Sequence, residues 1–209
     1  MPVELADTTV ASGPDASKSK ISRRRVLDAA ARCFLNKGYA ATRLSDIAEE
    51  AGMKAGSIYY HFDSKEQMLS EVFDIGMTAV FDAVRTGVET LGPEATHRER
   101  IAAAIKAHLQ QLLEQSDYTA ANIRIFGQAP AEIQRRHMPD REAYREYWRQ
   151  LLEDARRDGA LRDDADLSLI RMLLFGALNW TVEWNDPEKG SADRIAEAAT
   201  AMLFDGLGR

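Results

Sequence analysis

From Ser19 onward the apolar residues of this chain recur at three- and four-residue spacings, and no stretch alternates apolar with polar residues in the β-branched manner of a strand. Helical stripes can bury themselves only against other helices, so the pattern predicts an all-α protein. Glycine and proline cut the pattern into segments near 22–36, 43–51, 55–61, 65–90, 97–115, 117–127, 130–137, 140–158, 166–183 and 191–207, nine or ten helices in all. Residues 1–18 are small, polar and prolyl and read as a disordered tail.

The chain has 209 residues and a formal net charge of −6. Its single cysteine, Cys33, excludes an internal disulfide framework and falls on the apolar stripe of the first helix, where it reads as a small core residue. No apolar run approaches the ~20 residues that span a bilayer, and residues 1–19 lack the apolar core of a signal peptide. The expectation is a cytoplasmic, nucleoid-associated protein with no membrane partner. The net charge conceals an asymmetry: residues 18–65 hold ten Lys/Arg against five Asp/Glu, whereas residues 66–209 hold 17 against 25. A basic head on an acidic body suggests a polyanion-binding module joined to something else.

Within that head, two short helices flank Ala51-Gly52-Met53-Lys54, with a longer helix before them. Gly52 suits the left-handed conformation that closes a helix, and two helices so joined form a helix-turn-helix. The helix opening at Ala55 is then the recognition helix. Ala55, Gly56 and Ser57 are small enough to let the backbone approach DNA, and Ser57 can hydrogen-bond a base edge. Tyr59, Tyr60 and His61 add polar-tipped aromatics, while Phe62 reads as core. Thr42, as an N-cap, and Arg43 open the second helix, with Ser45 one turn on. Arg23, Arg24, Arg25, Lys54 and Lys65 supply cations for phosphates. Ser64 with Gln67 reads as a capping box for the long fourth helix.

The string from Gly38 to Leu69 carries a Gly-aromatic turn, Thr42, Asp46-Ile47-Ala48, Ala51-Gly52, Gly56 and Tyr59, His61-Phe62, Ser64-Lys65 and Leu69. It resembles the DNA-binding domain of the TetR/AcrR family of bacterial transcriptional regulators over roughly residues 22–72. The resemblance implies a helix-turn-helix domain at 19–65 and a helical ligand-binding and dimerisation domain at 66–209. It also implies a homodimeric regulator, acting as a repressor, that binds a palindromic operator and is released by a small hydrophobic or amphipathic effector. By the same resemblance Thr42, Tyr59, Tyr60 and Lys65 are backbone anchors, and Ser45, Ala55, Gly56 and Ser57 face the groove.

In the acidic body the candidate lining of an effector pocket is Phe73, Met77, Phe81, His108, Leu112, Tyr118, Asn122, Phe126, Tyr144, Trp148, Leu152, Trp180 and Trp184. The stripes of the last two helices, including Ile170, Leu174, Ala177, Ile195, Ala199, Met202 and Leu203, are candidates for a dimer interface, as the resemblance implies. The segment from Gly56 to Phe62, with Leu178 to Trp184 before a Pro-Glu-Lys-Gly loop, is similar to regulators of fatty-acid, sterol and related acyl-CoA catabolism. An acyl-CoA is therefore one candidate effector, with Arg124, Arg145, Arg149 or Arg171 available to an anionic group. No cofactor or metal is expected. The four histidines form no metal-site pair, and there is no phosphate loop and no Gly-x-Ser-x-Gly elbow, so catalysis is disfavoured. A helical interaction protein without a DNA role is the other alternative; it would leave the basic head unexplained.

Overall fold

A computed structural model of the chain describes residues 14–186 and 191–206. It is all-helical there: α1 (Pro14–Lys37), α2 (Leu44–Glu50), α3 (Ala55–Ile58), α4 (Lys65–Glu89), α5 (His97–Gln110), α6 (Asp117–Ile125), α7 (Ala131–Arg157), α8 (Leu167–Trp184) and α9 (Ala192–Phe204). The first 13 residues of the expected tail and the Pro-Glu-Lys-Gly loop lie outside the described residues. The remainder of that tail is a correction, because α1 already begins at Pro14.

The head forms because α1 presents Val26, Ala29, Ala30, Cys33 and Phe34, all buried, to Ile47, Ala48, Ile58 and Phe62. Gly38 ends α1 at φ +79°, and Gly52 turns α2 into α3 at φ +63°, a region that costs a residue with a Cβ. The helix cap falls on Arg43, not Thr42: the Asp46 carboxylate accepts from the Arg43 amide at 2.8 Å. Burial is the reason, since the Thr42 hydroxyl is turned inward and donates to the Gly38 carbonyl at 2.7 Å. Ser64 caps α4 by accepting from the Gln67 amide, while the Gln67 side chain accepts from Asp63 instead of from Ser64.

Helix α4, roughly 37 Å long at 1.5 Å per residue, is the spine: it packs against α1, α5, α6 and α7. One apolar cluster surrounds its first half and includes the head; a second surrounds the half from Met77 onward. Between them, Gly76 lets α6 approach so closely that a Cβ there would lie 2.4 Å from the Tyr118 carbonyl oxygen.

Two expected helices, 130–137 and 140–158, are one: α7 runs through Pro139. Proline removes one helical hydrogen bond. Here it sits on the exposed side, where water can satisfy the freed carbonyl, while buried His137 pins the same turn to Ser70 at 2.8 Å and to Asp74 at 3.1 Å. The expected helix 97–115 is α5 followed by a widened π-helical turn, Gln111–Gln115. The third helix stops at Ile58, short of the expected His61.

Candidate DNA-reading head and effector cavity

Most of the basic charge of the head is spent inside the protein. Arg23 pairs with Glu71 at 2.5 Å, Arg32 with Glu50 at 2.6 Å and Lys37 with Asp46 at 3.1 Å. Arg25 donates to the Ala51 carbonyl at 2.6 Å, bracing the turn. Arg24 pairs with Asp28 and lies over the Tyr118 ring, so it faces the junction with the body. Lys65 is half-buried; its ammonium donates to the Tyr39 carbonyl at 2.9 Å and the Thr42 carbonyl at 3.0 Å and sits over the Tyr39 ring. It ties the start of α4 to the loop before α2. Among the described residues, Lys18, Lys20, Arg25, Arg43 and Lys54 are the cations of residues 18–65 that are exposed and have no carboxylate within ion-pair distance, and of these Arg25 is held by the Ala51 carbonyl.

Around Arg43 and Lys54 lie the other residues expected to read DNA. Ser45, Ala55 and Gly56 are exposed and Ser57 half-exposed. A Cβ on Gly56 would meet nothing within 4 Å, so nothing inside the protein requires glycine there. Tyr59 and Tyr60 expose 62% and 80% of their surface, and Tyr60 meets half-buried His61 edge-on. Phe62 and Cys33 are core, and burial pushes the Cys33 thiol up, away from reactivity. Three residues of the expected set are placed otherwise: Thr42 is only 1% exposed, Arg24 faces the junction with the body, and Lys65 is half-buried on the Tyr39 and Thr42 carbonyls.

The body holds a cavity of about 250 Å³ between α4, α5, α6, α7 and α8. Of the expected lining, Met77, His108, Asn122 and Tyr144 are there, joined by Arg145 and Arg171. His108 is buried and held down to about 4, so it is neutral; its ring nitrogens face the Tyr144 hydroxyl at 2.8 Å and the Asn179 carbonyl oxygen at 3.0 Å. Asn122 donates to the Phe73 carbonyl of α4 at 2.9 Å and accepts from Arg141 at 2.5 Å.

The other expected lining residues have different work. Phe81 packs on Tyr144 and Tyr147. Trp148 and Leu152 are fully buried in the second apolar cluster, and Leu112 is buried in the widened turn. Tyr118 donates to Asp28 at 2.5 Å, at the head–body junction. Phe73 and Phe126 pack together outside the cavity, with the Arg141 guanidinium 3.9 Å from the Phe126 ring centre. Trp180 and Trp184 are corrections of another kind, since they are 65% and 56% exposed and point away from the body. Arg124 is held by Glu183, and Arg149 by Glu146 and Glu153.

Sequence reasoning missed Arg141 and Phe175. Arg141 stands in line with Tyr144, Trp148, Leu152 and Ala155, and a cation on an otherwise apolar helical stripe was the available signal.

The exposed apolar face lies on α8 and α9. Leu169, Met172, Leu173, Trp180, Trp184 and Met202 are exposed there, together with Ala177 and Gly176. Ile170 is half-buried, and Leu174, Ile195, Ala199 and Leu203 are half-buried against the protomer's own core. Asp74, His137 and Asp140 bring ligating atoms within 4.8 Å of one another, but both His137 nitrogens already have partners. Among the described residues no helix is long and apolar enough to cross a membrane.

Residues 26–72 match the family described as bacterial regulatory proteins, tetR family, and residues 94–207 match the tetracyclin repressor-like C-terminal domain. The chain belongs to the TetR family. It is 29% identical over 206 residues to the HTH-type transcriptional repressor KstR2 of Rhodococcus jostii, covering 92% of this chain and 94% of that protein. It is 25% identical to the fatty acid metabolism regulator protein of Bacillus subtilis, covering 88% of this chain and 94% of that one. Among solved structures, the TetR family regulator PfmR from Thermus thermophilus superposes with a TM-score of 0.77 at 26% identity, over 88% of this chain and all of that one. These likenesses support a transcriptional regulator and lend nothing to the helical interaction protein without a DNA role.

Proposed function

We propose that this chain is a ligand-responsive transcriptional repressor that binds a palindromic operator as a homodimer and leaves it when an effector fills the cavity. The observation that carries this reading is the placement of unspent chemistry. Arg43, Lys54, Ser45 and Ser57 are available on one end of the molecule, while a cavity lies beside the helix, α4, that joins that end to the body. Exposed cations hold phosphates, and small residues admit the backbone to base edges.

The dimer forms through the apolar face of α8 and α9. A patch of Leu169, Leu173, Trp180 and Met202 left to water is costly, and two acidic bodies need an apolar seam to pair. Two heads then meet successive major grooves about 34–36 Å apart. The site of action is the cytoplasm, at the nucleoid. The effector is a small amphipathic acyl compound, with an acyl-CoA among the candidates; the B. subtilis relative named for fatty acid metabolism supports that class. A ligand releases DNA only by binding the released state better than the bound one.

Fluorescence anisotropy on DNA flanking the protein's own coding sequence tests the reading. Binding at moderate salt followed by release with octanoyl-CoA or a related acyl compound supports it. A folded, dimeric protein that binds no such DNA overturns it.

A further inference from the structure

The residues lining the cavity include three arginines, Arg141, Arg145 and Arg171, and no Asp or Glu. Among the described residues, neither Arg141 nor Arg171 has a carboxylate within ion-pair distance, and the contact of Arg145 with Glu142 is a long 3.6 Å. Arg141 has instead a neutral acceptor, the Asn122 carbonyl oxygen, and the face of Phe126. Burial and the neighbouring Arg145 push it down to about 10, which still leaves it charged at neutral pH. His108 cannot supply or take the missing charge, because it is neutral and both ring nitrogens are engaged. A poorly solvated cation without a counter-ion is costly, and closing an uncharged ligand over it would raise that cost.

We propose that the cavity takes a compact organic acid, with its carboxylate on the Arg141 guanidinium and its apolar body against Met77, Val80, Met172 and Phe175. This rests on the effector-cavity reading above and names the ligand class. The planar fork of arginine matches a carboxylate. A cavity of about 150 Å³ holds benzene, so 250 Å³ accommodates about ten non-hydrogen atoms, far fewer than a whole acyl-CoA. The acid also has a route to the head. A carboxylate on Arg141 competes with Asn122 for the guanidinium, and Asn122 is the residue that holds the Phe73 carbonyl of α4.

The test is isothermal titration of the full-length wild-type protein with octanoate and cyclohexylacetate, with octanamide and cyclohexylacetamide, and with octanoyl-CoA. Each acid is expected to bind at least about tenfold more tightly than its amide, because hydrogen bonds to ions exceed those to neutral groups. In Arg141→Met that preference disappears; the wild-type acid–amide comparison decides the matter if the variant does not fold. Amides that bind as tightly as acids, or octanoyl-CoA that binds where octanoate does not, overturn the acid while leaving an effector cavity in place. Failure of every compound, octanoyl-CoA included, overturns both.

Discussion

Asn122 of α6 donates its side-chain amide to the Phe73 carbonyl of α4 at 2.9 Å, and the Arg141 guanidinium on the cavity wall holds the same amide group by its oxygen. Eight residues before Phe73, α4 begins at Lys65, which grips the Tyr39 and Thr42 carbonyls of the head. The cavity and the head therefore share one rigid helix through contiguous hydrogen bonds. Contiguity alone is not coupling; a variant supplies that test. Asn122→Leu strands the Arg141 donor and should destabilise the fold by about 1–3 kcal/mol in urea unfolding. Operator affinity should stay within a few-fold of wild type. The ratio of operator Kd with and without a saturating ligand that binds the wild type should collapse towards one.

Gly56 is separable from stability. Its added Cβ would meet no neighbour, and alanine is the better helix former by about 1 kcal/mol. Gly56→Leu should therefore match or exceed wild-type thermal stability while weakening operator binding at least about tenfold, as a side chain comes between α3 and the bases. Unimpaired binding by anisotropy would place the groove contact elsewhere.

The cations of the head divide into two groups that differ in what they contribute to the fold. Arg43→Ala and Lys54→Ala should each lower the slope of log affinity against log salt by about 0.9 and leave the urea midpoint unchanged. Lys65→Ala loses two charge-assisted bonds to carbonyls, so it should also cost about 1.5–3 kcal/mol of stability.

Acid should loosen the body through His108. Its folded value, held down to about 4 by burial, lies below the ordinary 6.5, so the unfolded chain binds the proton more tightly. The stabilisation is complete above about pH 6.5 and is lost as pH falls towards 4; at most about 3 kcal/mol is involved. His137, likewise held down by burial, acts in the same direction. Urea unfolding from pH 7.5 to 4.5 should show the loss, and His108→Gln should flatten much of it.

The head was readable because its constraints are local. A left-handed Gly52, a capped α4 and a stripe from Val26 to Phe34 are all set within a few residues of chain. The cavity was only partly so. His108, Asn122 and Tyr144 were found as polar or aromatic residues on apolar faces, but Trp180 and Trp184 carry the same pattern and point outward. Which side of a helix faces its own core and which faces outward depends on packing between segments far apart in sequence. Pro139 misled for a related reason: proline ends helices on average, and α7 continues because buried His137 anchors the turn beside it to α4. Thr42 has the residue type of an N-cap, yet the carbonyls left at the end of α1 draw its hydroxyl inward.

Hydroxyl-radical footprinting of the full-length protein on DNA flanking its own coding sequence addresses the central claim most directly. Two protected half-sites are expected, related by a palindrome and centred one helical turn or a multiple of it apart, on one face of the duplex. Both should vanish together in a double variant lacking Arg43 and Lys54. A single unpaired patch, or protection that is indifferent to those two residues, would contradict a dimer that reads DNA through α2 and α3.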